Sequence, residues 1–143
     1  MRKIIPVLTL LIGTLAASVH AQQVALISAN EAQLPDAKAV TTRAITRGPG
    51  IKLVSPAEVN AASFALKIAF EPRGGAKIDP QSVHVEYLKE PTVDLTSRVS
   101  AGLKSDHIEL PQVSVPKGTH HLRISAKDTE GRSSATVLSL NAK

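Results

Sequence analysis

From residue 51 onward, apolar and polar positions alternate with a period of two, which predicts β-strands. In the stretch "FALKIAFE", residues 64–71, the four large apolar residues occupy every second position. The stretch "SVHVEYLKE" repeats the alternation, with His84 and Glu86 on its outward face. The stretch "THHLRISAKD" does the same with His121 and Arg123. Each stretch is therefore predicted to be a half-buried strand.

About seven such strands are predicted between residues 51 and 143, and no long helical pattern interrupts them. They are "IKLVSP", "FALKIAFE", "SVHVEYLKE", "VDLTSRV", "HIELPQVSVP", "THHLRISAKD" and "SATVLSLNA". Short strands separated by Pro, Gly and Asp turns are typical of a sandwich of two sheets. The sequence thus predicts an all-β fold, a two-sheet antiparallel sandwich over residues 51–143.

One stretch inside this region, residues 87–103, lacks strict alternation. Leu88 is predicted to face outward next to Pro91, and a mixture of apolar and charged residues follows. Two interpretations remain open, a loop that crosses between sheets or an edge on which a partner strand docks.

The first 21 residues have the pattern of a secretory signal peptide. Arg2 and Lys3 precede an apolar run, and Val19-His20-Ala21 is a suitable signal-peptidase site. The apolar run is shorter than the roughly 20 residues that a spanning helix needs. We therefore expect cleavage between Ala21 and Gln22, a periplasmic or secreted mature chain, and no transmembrane anchor in that chain.

Residues 22–50 differ from the rest and are interpreted as an extended arm. Ser28 and Glu31 form a capping-box pattern that predicts one short helix. Gly48-Pro49-Gly50 closes the segment with turn residues. The arm is either a disordered leader or a segment that packs on the domain or on a partner.

Composition narrows the possible functions. The chain has no cysteine, so disulfides, thiolate metal sites and a cysteine nucleophile are excluded. Without Arg2 and Lys3, the 17 basic residues fall to 15 against 12 acidic ones, a net charge near +3. Tyr87, Phe64 and Phe70 are the only aromatic rings of the Phe, Tyr and Trp type, which argues against stacked nucleic-acid bases.

The stretch "VPKGTHHLRISAKDTEGRSSATVLSL" resembles the closing hairpin of bacterial immunoglobulin-like domains of the fibronectin III or cadherin type. The shared pattern is Pro-x-Gly, an alternating strand, Asp-x-x-Gly and a final strand. "IDPQSVHVEY" is similar to the third strand of that family and "GIKLVSPAE" to the first. The resemblance covers residues 50–143 and implies a fold. It does not imply a function, because the fold hosts many unrelated functions.

Histidines are the candidate metal ligands. Strand geometry places the adjacent His120 and His121 on opposite faces, so the two cannot hold one ion. In the family that the chain resembles, the third and sixth strands are neighbours, so His84, Glu86 and His121 could meet across them. Such a group would suit zinc or copper(II). Copper carriers of this fold typically rely on methionines or on an N-terminal histidine. Here the only methionine is Met1, and the expected new terminus is Gln22, so the match fails.

Neither a G-x-S-x-G nor an H-E-x-x-H motif occurs, and we expect no enzyme and no cofactor. The predicted function is an exported binding or structural module that contacts a protein or the cell envelope. Its first candidate surface consists of His84, Glu86, His121 and Arg123. Its second is the basic arm, Lys38, Arg43 and Arg47. The alternative is a small periplasmic metal-binding protein that uses His84, Glu86 and His121.

Overall fold

The computed structural model describes residues 22–38 and 47–143. The predicted signal peptide and Arg43 lie outside the described residues. The described part is all-β, as predicted, and forms a sandwich of two sheets. The strands are β1 (Val24–Ala25), β2 (Gly50–Leu53), β3 (Glu58–Val59), β4 (Phe64–Glu71), β5 (His84–Tyr87), β6 (Val93–Asp94), β7 (His107–Ser114), β8 (Gly118–Lys127) and β9 (Ser133–Ala142). The helices are α1 (Ala29–Ala32) and α2 (Thr96–Val99), with 3-10 turns at Pro80–Ser82 and Ser100–Gly102.

One sheet has the strand order β1-β7-β4-β2, and the other has the order β3-β9-β8-β5-β6. The expected neighbours, the strand from "SVHVEYLKE" and the strand from "THHLRISAKD", do pair as β5 and β8. The prediction of purely antiparallel sheets was wrong. The two-residue strands β1 and β3 run parallel to β7 and β9, respectively, at the sheet edges.

The core lies between the two sheets and is built by the inward positions of the alternating strands. On β4 the inward residues Leu66, Ile68 and Phe70 are buried and Phe64 is half-buried. On β5 the inward residues Val85 and Tyr87 are buried. The largest fully buried side chains are Tyr87, Leu26, Leu66, Ile68, Leu95, Ile108, Leu122, Ile124 and Leu140. Because successive side chains point to opposite faces, the same alternation sends the polar residues of these strands outward.

The predicted strand "HIELPQVSVP" contains β7, and the pairing of β7 with β4 is interrupted by a bulge near Pro111. Leu66 pairs with Leu110, but Phe64 pairs with Val113, so β7 carries one extra residue. This insertion shifts the alternation by one position, which lets both Leu110 and Val113 face the core.

Residues 87–103 cross between the sheets. They contain β6 at the edge of the five-stranded sheet, then α2 and a 3-10 turn, before β7 begins in the other sheet. The predicted strand "VDLTSRV" is therefore wrong beyond Asp94. Leu95 and Val99 are buried four residues apart, a spacing that places both on one face of a helical turn.

Residues 24–27 of the arm pack on the sandwich. Leu26 and Ile27 are buried in the core, and Leu26 N–H donates to Ser114 O. The capping box is present as predicted: Ser28 Oγ accepts from Glu31 N–H, and Glu31 Oε2 accepts from Ser28 N–H. Of the two interpretations of the arm, residues 24–27 follow the packed one.

An ion pair fastens the arm to α2. Arg98 donates from Nη2 to Glu31 Oε1 at 2.6 Å and from Nη1 to Glu31 Oε2 at 2.7 Å. Nη1 also donates to the carbonyl oxygen of Leu26 at 2.8 Å. The hydrogen bonds from Arg98, opposed in part by desolvation and aided by the Ser28 backbone N–H, lower the pKa of Glu31 from 4.5 to about 2.

None of the helices within residues 22–38 and 47–143 is long and apolar enough to cross a bilayer.

The burial of Leu26 predicts that the arm contributes to the stability of the hydrophobic core. Leu26→Ala removes a side chain that is 0% exposed, so we expect it to lower the free energy of unfolding by about 2–5 kcal/mol. Asn30→Ala, on the exposed side of the same arm, is the matched control and is expected to change it by less than about 0.5 kcal/mol. Urea unfolding measures both. Equal, small effects would show that the arm contributes nothing to the core.

The Glu31–Arg98 pair predicts a loss of stability in acid. Because the folded-state pKa of Glu31 is lowered, its contribution is complete above about pH 4.5 and is lost as the pH falls toward 2. Glu31→Gln retains a cap acceptor without the charge, so its stability should depend less on pH across this window. Urea unfolding between pH 2 and 5 measures the difference, and identical pH profiles would contradict it.

Candidate functional site: the outward face of the five-stranded sheet

The first candidate surface lies on the solvent side of the five-stranded sheet. His84 and Glu86 alternate with buried Val85 and Tyr87 on β5. His121 and Arg123 alternate with buried residues on β8. All four candidate residues therefore face outward on neighbouring strands, as the alternation predicted.

Glu86 and Arg123 form the charged centre of this face. They are directly opposite across β5 and β8. Arg123 Nη2 lies 2.6 Å and Nε lies 2.7 Å from the same oxygen, Glu86 Oε2. Glu86 also lies opposite Asp94 on β6. Asp94, Glu86 and Arg123 therefore form one row across three neighbouring strands. Both partners of the pair are partly exposed, so it contributes at most about 1 kcal/mol to stability.

The two outward histidines are not brought together. His84 lies opposite Ser125, whereas His121 lies opposite Ser139. His121 and Ser125 are four residues apart on one strand, which separates the two histidines by about 13 Å along the sheet. His121 is held by a 2.9 Å contact between its Nδ1 and Ser139 Oγ.

This register does not bring the proposed metal ligands together. Glu86 faces Arg123, whose positive charge opposes a cation, and His121 does not reach His84. Among residues 22–38 and 47–143, no group of three His, Asp or Glu side chains is placed to hold a metal ion. His84, Glu86 and His121 therefore share a face without forming one ligand set.

This face also carries an exposed apolar residue that was not predicted from the sequence. Val137 on β9 is opposite Arg123 and is 48% exposed. Its neighbours along the outward face of β9, Ala135 and Ser139, are small and exposed. The signal was present in "TVLSLNA", because Leu138 and Leu140 occupy the inward phase and leave Val137 in the outward one.

A depression of about 420 Å³ lies at one end of the face, beside His84. Its floor comes from the sheet and its wall from the 3-10 turn at Pro80–Ser82. The lining side chains are mostly polar: Asp79, Gln81, Ser82, His84, Ser125, Ala126, Lys127 and Ser133. The face is therefore bounded by a wall at the end near His84.

His120 points into the core and has a structural role. It is 2% exposed, and its Nε2 lies 2.7 Å from Pro116 O while its Nδ1 lies 2.9 Å from the Tyr87 hydroxyl. A carbonyl oxygen only accepts, so Nε2 carries hydrogen, and in the neutral form of the ring the Tyr87 hydroxyl donates to Nδ1. Burial raises the pKa of Tyr87. The pair joins β5 to β8 and is closed to a substrate.

The second candidate surface is only partly described. Lys38 and Arg47 are exposed, and Arg43 lies between them, outside the described residues. Just before Lys38, Asp36 accepts from the Lys89 ammonium at 2.6 Å. That contact raises the pKa of the Lys89 ammonium and lowers the pKa of Asp36, so both groups are charged at neutral pH. The described end of the arm is thus tied to the sandwich at Lys89.

The acidic stretch 128–131 is a structural turn. Asp128 is 3% exposed and accepts from Arg132 Nε at 2.8 Å and from the backbone N–H groups of Glu130 and Arg132. These hydrogen bonds outweigh desolvation and lower the pKa of Asp128. Gly131 has a φ of 80°, which a glycine adopts without strain.

In comparisons with known proteins, no family model, no curated protein and no solved structure matches the chain. The fold and the outward face therefore carry the functional argument.

The separation of the histidines predicts the outcome of a metal titration. Because His84 and His121 cannot share an ion, we expect calorimetric titration with zinc or copper(II) to show no micromolar site that depends on either residue. Wild type, His84→Ala and His121→Ala should give the same heats. A micromolar site lost in both variants would contradict the register of β5 and β8.

Proposed function

We propose that the mature chain is an exported, non-enzymatic domain of immunoglobulin-like topology, which binds a protein of the cell envelope through the outward face of its five-stranded sheet. The observation that carries this proposal is the exposed Val137 beside the Glu86–Arg123 pair in the middle of that face.

The strand order supports the immunoglobulin-like topology. In that fold, strands A, B and E share one sheet, and strands C, F and G share the other. Here β2, β4 and β7 lie in one sheet, and β5, β8 and β9 lie in the other, each set in the corresponding chain order. This agreement strengthens the resemblance seen in the closing hairpin, "VPKGTHHLRISAKDTEGRSSATVLSL".

The chemistry of the face suits a protein partner. Interface centres are enriched in apolar residues and arginine, with polar residues at the rim. Val137 and Arg123 are adjacent at the centre, and His84 and His121 lie toward opposite ends of the face. A partner could cover Val137 without breaking any core contact, because the side chain points away from the other sheet.

The non-enzymatic interpretation rests on how the polar groups are used. Glu86 is engaged by Arg123, and Asp128 is buried beneath Arg132. His120 is enclosed with Tyr87. Each of these groups already serves a contact within the domain, and the sequence contains neither a G-x-S-x-G nor an H-E-x-x-H motif.

Export is supported by the signal-peptide pattern before Gln22. Because the chain has no cysteine, no disulfide stabilises the domain, and its stability depends on the packed core that the alternating strands form. The proposed location is the periplasm or the exterior of the cell.

Site-specific photocrosslinking tests the proposed surface. A photoreactive residue at position 137 should capture a defined envelope protein, and one at position 54 should not. Val54 is the matched control because it is also an exposed valine, 55% exposed, next to β2 of the other sheet. The captured protein is then identified by mass spectrometry and its affinity for the purified domain is measured.

Substitution provides the quantitative readout. We expect Val137→Asp to weaken binding to that protein by about tenfold or more, and Val54→Asp to leave it within about twofold. Circular dichroism checks that both variants fold. Equal capture at both positions, or equal weakening by both substitutions, would overturn the assignment of the surface.

A further inference from the structure

Two glutamines, Gln22 and Gln23, directly follow the proposed cleavage position. Their side chains have different surroundings in the structure. Gln22 is exposed and lies before β1 begins at Val24. Gln23 is also exposed, but its side-chain amide donates to the carbonyl oxygen of Ala62. The first glutamine is thus presented to solvent, and the second is anchored to the sandwich.

We propose that Gln22 is a modification site, at which the mature chain closes its N-terminus as a pyroglutamyl lactam. The inference rests on the proposed export and on cleavage after Ala21, which turns Gln22 into a residue with a free α-amine. No partner, metal or cofactor is required.

The reaction is an intramolecular amide exchange. The α-amino nitrogen of Gln22 attacks its own Cδ carbonyl carbon, and a new N–Cδ bond closes a five-membered ring. The Cδ–Nε2 bond breaks, a proton from the attacking amine passes to the leaving nitrogen, and ammonia departs. No atom changes oxidation state, so no oxidant or reductant takes part.

The fold permits this ring at Gln22. The exposed side chain can turn back onto its own amine without entering the core. The first constrained pairing, Val24 with Val113, lies two residues further along. The carbonyl group of residue 22 is retained in the product, so the backbone that leads into β1 keeps its length. The α-amine loses its positive charge, and the terminus no longer offers the free amine that aminopeptidases require.

The same geometry disfavours the reaction at Gln23. If cleavage occurred one residue later, the side chain would have to leave Ala62 before it could reach its own amine. The folded structure therefore favours Gln22 over Gln23, which a sequence with two equivalent glutamines does not distinguish.

Amine labelling followed by mass spectrometry tests the site. The exported protein is purified, its free amines are dimethylated, and it is digested with trypsin, which then cuts after Arg43 because the lysines are blocked. We expect the N-terminal peptide 22–43 to be unlabelled at its terminus and lighter by one ammonia molecule. Labelling before digestion ensures that a ring formed during digestion is not counted.

The other outcomes separate the two proposals. A peptide 22–43 that carries the label on an intact Gln22 would overturn the modification and leave the proposed export standing. A terminus at any other position would overturn the proposed cleavage, and the modification with it.

A rate comparison tests the structural reason. Freshly purified chains that begin at Gln22 or at Gln23 are incubated in native buffer and in urea, and ring formation is followed by mass. The Gln22 chain should react at similar rates in both. The Gln23 chain should react about fivefold more slowly when native, the factor that one ordinary hydrogen bond supplies. Equal rates for both native chains would overturn the role of the Ala62 contact.

Discussion

The register of β8 between β5 and β9 is the constraint on which the rest of the sandwich depends. Because side chains alternate with a period of two, a slip of one residue would exchange its core and solvent faces. Buried polar groups hold this register at both ends of β8. The ring nitrogens of His120 form hydrogen bonds with the Tyr87 hydroxyl and the Pro116 carbonyl oxygen. The Asp128 carboxylate accepts from the backbone N–H of Arg132, at the end of the turn that leads into β9. A slip of β8 against β5 would leave the buried His120 ring without the Tyr87 hydroxyl, which costs about 1–3 kcal/mol.

The arm is part of the same structure. It supplies β1 next to β7, two core side chains at Leu26 and Ile27, and a bidentate carboxylate at Glu31. Arg98, the partner of Glu31, lies on the segment that crosses between the sheets. The Arg98 side chain thus joins the arm to the crossover segment, although Glu31 and Arg98 lie far apart in the sequence.

Local patterns in the sequence were sufficient for the fold class, the long strands, the inward and outward faces and the capping box at Ser28. They were insufficient for features that depend on distant partners. The parallel strands β1 and β3, the bulge at Pro111 and the separation of His84 from His121 all depend on register, which alternation alone leaves undetermined. Leu95 and Val99 form a helical turn because both reach the core, although "VDLTSRV" has enough β-branched residues to resemble a strand.

The strands at the rims of the two sheets have a consequence for how the protein behaves in a crowded compartment. Three of the four outermost strands, β1, β3 and β6, are only two residues long, and the fourth, β2, has four residues and follows Pro49. Long, unpaired rims recruit strands from other chains and start fibre growth. Among the described residues, however, β3 pairs with only Asn141 and Ala142 of β9. We therefore expect an incoming strand to pair along the remaining length of β9, which no outer strand covers.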